Sequence, residues 1–259
     1  MGCGDWQTAI APQQTGGSMI AQPSDRAQQL NPYFQTDAIT LYHANCMDVM
    51  KGMDDRSVDL VLTDPPFSST THQGARSNRR ASNQPIDFDY ISVEQLRLFF
   101  DEMGRVARRW VIATIDWKHA HLLEESPPLR LRFVRLAVWI KPNSMPQLTG
   151  DRPAQGWEAI AILHRADTKL QWNGGGHRGV YTHNIDASGI HPTAKPLSLY
   201  SELIQLFSDP NDVVFDPFAG SGASLRAAAD LGRRAIGVEL SPQYVEVAAR
   251  RCQQLALFS

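Results

Sequence analysis

From Ile39 onward, short apolar runs alternate with stretches whose apolar residues recur every three or four positions, the pattern of a sheet with helices on its faces. Seven runs are predicted strands: Ile39–His43, Val58–Thr63, Trp110–Thr114, Val134–Ile140, Ile160–His164, Val213–Phe215 and Ala235–Val238. Ser92, with Gln95 three residues on, forms a capping box and predicts a helix to about Arg109. Pro196 fits the first position of a second helix, on which Leu197, Tyr200, Leu203, Ile204 and Phe207 mark one face. A third helix is expected from near Ser224 to Gly232, and a fourth, capped by Ser241 and opened by Pro242, runs toward Leu255. The fold class this predicts is α/β, a doubly wound, mostly parallel, seven-stranded Rossmann-like sheet.

Residues 1–30 are rich in Gln, Gly, Ser and Pro without apolar periodicity, so a flexible polar N-terminal tail is expected before one domain over 31–259. Two segments of that domain, 68–90 and 143–190, resist assignment; long irregular stretches in a compact domain are usually functional or mobile. The first carries Arg76, Arg79 and Arg80, and the second Gly174-Gly175-Gly176-His177-Arg178. The formal net charge of -2 gives no overall basic field, so any nucleic-acid contact must come from such local patches. No apolar run reaches the roughly 20 residues of a membrane span, so a soluble protein without a membrane partner is expected. Cys3, Cys46 and Cys252 are far apart and form no CxxC pair, so neither a disulfide framework nor a zinc site is expected, and a reducing cytoplasm fits best.

The first chemical signal is Thr63-Asp64-Pro65-Pro66-Phe67 at the end of an apolar strand, where α/β proteins place their active sites. A carboxylate, two prolines that remove N–H donors and stiffen the chain, and an aromatic ring make a rigid, acceptor-rich corner. Such a corner suits an amino group held against a stacking ring; a Pro-rich turn with Phe67 in the core is the structural alternative. The second signal is Val213-Val214-Phe215-Asp216-Pro217-Phe218-Ala219-Gly220-Ser221-Gly222, a strand running into a glycine loop and then a helix. Glycines there let backbone approach a ligand, and Glu239 closes the next strand where it can accept from ribose hydroxyls, a layout for an adenosine-type cofactor. Leu225 stands where a dinucleotide fingerprint needs a small residue, which argues against NAD, and no P-loop is present.

Asp64-Pro65-Pro66-Phe67 together with Phe218-Ala219-Gly220-Ser221-Gly222 resembles motifs IV and I of the amino-methyltransferases of DNA. The catalytic motif precedes the cofactor motif, as in the circularly permuted β group of bacterial and phage enzymes. Asn45-Cys46-Met47-Asp48, Trp139-Ile140-Lys141-Pro142, Trp157-Glu158 and His191-Pro192-Thr193-Ala194-Lys195-Pro196 are similar to further family blocks, so the resemblance extends from about Ile39 to Leu255. Phe67 departs from the more usual Tyr but keeps the stacking face.

The resemblance implies an S-adenosyl-L-methionine methyltransferase fold, with S-adenosyl-L-homocysteine as product, acting on double-stranded DNA. Its catalytic residues would be Asp64, Pro65, Pro66 and Phe67: the Asp64 carboxylate and Pro65 carbonyl accept the amino hydrogens of a flipped base stacked on Phe67. Cofactor contacts are implied at Asp48, Thr193, Lys195, Asp216, Phe218, Ala219, Gly220, Ser221, Gly222, Glu239 and Leu240. Thr193 and Lys195 belong to the segment that abuts the methionine end, Asp48 to the one that contacts adenine, and Asp216 is expected to order the cofactor loop and face the methionine ammonium.

Asp64, where N4-cytosine members usually carry Ser, favours N6 of adenine. N4-cytosine methylation, a silent DNA-binding member of the fold and a protein-glutamine methyltransferase are the rivals. Arg76, Arg79, Arg80, His177 and Arg178 are the candidate DNA contacts, while Arg105, Arg108 and Arg109 are expected to complement a helix dipole. No metal is required, and His119 and His121 are expected on the surface. A small recognition region suggests a homodimer, and a cognate restriction endonuclease would fit a restriction-modification role.

Overall fold

β3 (Val58–Thr63) is buried at every position, and its side chains alternate between two apolar clusters. Leu60 and Leu62 enter one cluster and Val61 the other, as the two-residue period of a strand requires, while Val58, before the register shift that precedes Leu60, joins the cluster of Val61. In the computed structural model, residues 31–66, 93–186 and 195–253 are described. The other strands among them are β1 (Phe34–Gln35), β2 (Ile39–His43), β4 (Ala107–Ile115), β5 (Leu131–Ile140), β6 (Trp157–Arg165), β7 (Val180–Thr182), β8 (Val213–Asp216) and β9 (Arg234–Glu239). They form one sheet in the order β1-β2-β9-β8-β3-β4-β6-β5-β7. Pairings β2/β9, β9/β8, β8/β3, β3/β4 and β5/β7 are parallel, whereas β1/β2, β4/β6 and β6/β5 are antiparallel.

Among the described residues, six helices cover the two faces. α1 (Cys46–Gly52), α2 (Val93–Val106) and α3 (Trp117–Glu125) bury Val49, Met50, Phe100, Met103 and Leu123 on the face that takes Val61. α4 (Leu197–Phe207), α5 (Ala223–Asp230) and α6 (Pro242–Gln253) bury Leu199, Leu203, Leu225 and Val245 on the face that takes Leu62. The chain leaves β3 toward β4 by way of α2 on the first face, and leaves β8 toward β9 by way of α5 on the second. β3 and β8 are adjacent and parallel, so their exits diverge and open a crevice at the carboxyl ends of the strands, the topological switch point of an open α/β sheet.

The seven expected strands are all present, joined by the short β1 and the three-residue edge strand β7. The expected helix to Arg109 ends at Val106, and Arg108 and Arg109 lie on β4. Neither serves the helix dipole: Arg108 pairs with Asp59, and Arg109 with Asp209 and Asp212. Arg105 donates to the Met53 carbonyl after α1, while Arg165 of β6 takes the carbonyls of Gly104, Arg105 and Ala107 at the end of α2, filling the role of a C-terminal cation. Pro196 is the cap of α4 rather than its first residue, and Leu197 is exposed while Leu199 takes the buried position. The segment 143–190 is not one loop, since β6 and β7 run through it. The tail 1–30 and segment 68–90 lie outside the described residues.

Candidate active site

The crevice is built where β3 and β8 end. Thr63, fully buried at the end of β3, donates from Oγ1 to Asp216 Oδ1 at 2.7 Å. Asp216 Oδ1 also accepts from the Phe218 amide at 3.0 Å, and Oδ2 accepts from the Ser224 hydroxyl. Asp216 is 1% exposed; burial pushes its carboxyl up to about 6, against the pull of the three donors. It therefore ties the glycine loop to the end of the catalytic strand, and its oxygens point at these donors, where the sequence suggested one facing an ammonium.

Glu239, at the end of β9, holds the other side of the loop. Its Oε2 accepts from the Gly220 amide at 2.8 Å and its Oε1 from the Ser241 amide at 2.7 Å. Burial raises its carboxyl above the usual carboxylate range, partly opposed by those amides. The Ala219 amide donates to the Val238 carbonyl at 2.9 Å, so the loop is anchored to both flanking strands. Gly222 caps α5 with φ +75°, and a Cβ there would meet the Cβ and Cα of Ala248 at 3.0 and 3.1 Å. Gly220 is also left-handed, at φ +51°, and a Cβ there would have only the Phe218 carbonyl oxygen near it, at 4.0 Å. Its backbone is thus presented bare, as close approach by a ligand needs.

Ala219 and Ser221 are buried, the latter accepting from Arg251 at 3.1 Å, and Phe218 meets Phe99 of α2 edge to face at 5.2 Å. Beyond Glu239, Leu240 is 67% exposed, a large apolar side chain at the rim. Asp48 is exposed in the first turn of α1, whose cap Asn45 accepts from the Met47 amide at 2.9 Å. The Ala44 amide donates to the Glu239 carbonyl at 3.2 Å, which sets α1 beside the end of β9. Asp48, Glu239 and Leu240 therefore gather on one side of the glycine loop.

On the other side stands Asp64, directly after β3, with Pro65 buried and Pro66 half-buried. Thr114, near the end of β4, donates to Asp64 Oδ1, and Lys195 Nζ lies 2.6 Å from Oδ2. Lys195 also lies 3.3 Å from Oε2 of Glu158, whose Oε1 is held by Lys141. β6 is antiparallel to β4, so Glu158 at its beginning reaches the same edge of the sheet as Asp64. Burial alone would discharge the Lys195 ammonium, but Asp64 and Glu158 outweigh it and raise its pKa. Burial likewise works against the Glu158 carboxylate, yet Lys195 and Lys141 hold it below its ordinary range. Tyr200 of α4 is buried beneath this cluster; burial, then the charges of Asp216, Asp64 and Glu158, drive its phenol well above 10.

The sequence motifs at 64–66, 195, 216–222 and 239–240 thus converge on one crevice. Phe67, Thr193, Arg76, Arg79 and Arg80 lie outside the described residues. His177 and Arg178 lead into β7, the edge strand of the sheet, whose Val180 pairs with Val138 of β5. That segment is fastened to the far end of α4, with Trp172 against Phe207 and Asn173 donating to Ser208 O at 3.0 Å. His177 Nε2 and His183 Nε2 both face Glu202, at 3.1 and 2.6 Å. Of the two histidines expected on the surface, His121 is exposed and His119 half-buried. Thr114, Glu158 and Lys141 are the site residues that sequence reasoning did not assign.

Residues 58–250 match the family model described as DNA methylase. The Type II methyltransferase M2.MboI of Moraxella bovis is 25% identical, over 88% of this chain and 93% of its own length. The crystal structure of an M1.HpyAVI-SAM complex superposes with a TM-score of 0.64 at 23% identity, covering 82% of this chain and 99% of that one. PvuII DNA methyltransferase, described as cytosine-N4-specific, superposes with a TM-score of 0.70 at 14% identity, covering 86% and 89% of the two chains. These superpositions show the methyltransferase fold and carry no information on which base is modified.

Proposed function

The chain belongs to the N6/N4 DNA methylase family, and on that footing we propose that it transfers the methyl group of S-adenosyl-L-methionine to N6 of adenine in double-stranded DNA. The glycine loop fits the cofactor, because Gly220 leaves bare backbone where a side chain would stand, while Gly222 lets α5 start close against Ala248. The exposed apolar face of Leu240 beside Glu239 and Asp48 suits an adenosine moiety. When bound, S-adenosyl-L-methionine supplies an electrophilic methyl group on a sulfonium. Glu239 and Asp48 hold the nucleoside end, and Asp216 fixes the loop from within.

The acceptor is a weak nucleophile, since the lone pair of an exocyclic amine is delocalised into its ring. The Asp64 carboxylate and the Pro65 carbonyl accept the two amino hydrogens and so localise that lone pair on nitrogen. Fixing this geometry in advance lowers the barrier by positioning. The surplus proton on nitrogen passes first to Asp64, the base already in contact with it, and then to solvent. Stacked duplex hides the amine, so the base is turned out into the crevice at a cost of about a few kcal/mol, offset by stacking on Phe67 and by these hydrogen bonds. Arg76, Arg79 and Arg80, next in sequence, are the proposed phosphate contacts.

The observation that carries this reading is Asp64 itself, an oriented carboxylate at the switch point beside the cofactor loop. Its identity also carries the choice of adenine over cytosine, because the cytosine members that the chain resembles usually place Ser there. Labelled methyl transfer to unmethylated DNA, followed by hydrolysis to nucleosides, tests it. Label in N6-methyladenine is expected; label in N4-methylcytosine reassigns the base, and label in neither removes the proposal.

A further inference from the structure

Asp64 does not stand alone at the crevice. Its two oxygens are anchored separately, Oδ1 by the Thr114 hydroxyl and Oδ2 by Lys195 at 2.6 Å. A carboxylate oxygen has two acceptor positions, so each retains one after its anchor is made. Two donors on different oxygens also stop the carboxylate plane from rotating. Lysine is a long side chain that gives up considerable rotamer freedom when held, and this one is held: its side chain is 7% exposed, and Glu158 Oε2 lies 3.3 Å from the same ammonium. Glu158 is in turn fixed by Lys141. Asp64, Lys195, Glu158 and Lys141 alternate in sign and sum to zero, so each buried charge has a partner, as desolvated charges require.

The sequence resemblance places Lys195 against the cofactor. The geometry points to a different role: we propose that Lys195 is a positioning residue for Asp64, that Glu158 holds Lys195 in place, and that the pair sets the orientation of the carboxylate that receives the amino group. This rests on the amino-methyltransferase reading for what Asp64 does, but not for how it is held.

The two members of the relay act in series. Without the Lys195 ammonium, Oδ2 loses the donor that stops the carboxylate from rotating, and Asp64 faces Glu158 with no cation between them. Without the Glu158 charge, Lys195 keeps Asp64 but loses the partner that fixes its own long side chain.

The test reads the orientation of Asp64 directly, in crystal structures of the DNA-free protein. In Lys195→Met the Asp64 carboxylate should turn from its wild-type plane, and in Lys195→Arg it should keep it. An Asp64 carboxylate that keeps its wild-type orientation in Lys195→Met overturns the proposal, whatever the substrate proves to be. In single-turnover methyl transfer to unmethylated genomic DNA at saturating cofactor, Lys195→Met should lose about 100-fold in rate, Lys195→Arg should recover most of it and Glu158→Gln should lose less, each with the cofactor dissociation constant within about twofold of wild type. A tenfold weaker cofactor with an unchanged rate at saturation would make Lys195 a cofactor ligand instead. Wild-type protein that labels no DNA would remove the proposed function while the orientation of Asp64 still decides the relay.

Discussion

Thr63, the last residue of β3, donates its hydroxyl hydrogen to Asp216, the last residue of β8, at 2.7 Å across 153 positions of sequence. This bond joins the strand that delivers Asp64 to the strand that delivers the glycine loop. It makes the two motifs one device, because a shift of either strand would have to break it or move both. Thr63→Val removes the donor and leaves one buried acceptor short, a loss of about 1–3 kcal/mol. Chemical denaturation should show that loss, together with weaker cofactor binding; unchanged stability and affinity would mean that the strands are registered by their backbone ladder alone.

Asp216 also gives the fold a pH dependence whose sign is fixed. Its carboxyl rises from 3.8 to about 6 in the folded chain, mainly through burial. A folded-state pKa above the unfolded one means stability that is complete below about 3.8 and lost as pH rises through about 6. Asp216→Asn cannot ionise and should be insensitive over that interval. Thermal melts at pH 4.5 and 7.5 should therefore show the Asn variant gaining on wild type as pH rises. A difference independent of pH would contradict the assignment of Asp216 as a strained buried carboxyl.

Gly222 is required twice, by its left-handed φ of +75° and by Ala248 at 3.0 Å from any added Cβ. Gly222→Ala should cost about 1–2 kcal/mol for the backbone conformation, with a further penalty for the contact. Ala248→Gly relieves only the Cβ part of the contact, so a double-mutant cycle should give a coupling of about 0.5–3 kcal/mol. Additive effects would place the penalty in the backbone conformation and the Cα and carbonyl contacts that remain.

Leu225 shows what a local pattern leaves out. A dinucleotide-type loop is expected to carry a small residue at this position so that helix and strand can approach. Here the small residue is on the strand: a Cβ at Gly237 of β9 would meet Leu225 Cδ1 at 2.5 Å. The close approach survives with the sizes exchanged. Gly237→Ala should destabilise by about 1–3 kcal/mol through overpacking, and Leu225→Ala in the same chain should recover part of it. No recovery would mean that other neighbours of Gly237 set the fit.

The strands β2 and β3 are legible to the residue, because each is an apolar run closed by turn residues or by the Asp-Pro pair. Helices α1 and α3 were not, although Asn45 and Asp116 cap them and each accepts from the amide two residues on. α1 is only seven residues long, and α3 buries only Ala120 and Leu123, too few positions to establish a period. β7 is a three-residue edge strand whose place depends on β5 rather than on its own sequence. In the site, motif residues were legible wherever chemistry and local conformation act together, as at Asp64, Gly222 and Glu239. Their partners were not: Lys195 meets Asp64 across 131 positions and Thr114 meets it across 50. The sheet order that sets β4 beside β3 brings Thr114 to the carboxylate, and Lys195 arrives from the residue before the cap of α4. The same order carries the candidate DNA contacts His177 and Arg178 to the edge strand β7, three strands beyond β4.

The central claim is that Asp64 accepts hydrogen from an amino group of a DNA base while the glycine loop holds the methyl donor. Asp64→Asn keeps the shape and removes the charge. The deciding measurement is single-turnover transfer of labelled methyl to unmethylated DNA by wild type and Asp64→Asn, with the S-adenosyl-L-methionine dissociation constant measured on both. A rate lower by about 100- to 10,000-fold with affinity unchanged within about twofold is the predicted result. A variant that transfers methyl as fast as wild type, or that fails only because it no longer binds the cofactor, would contradict the account.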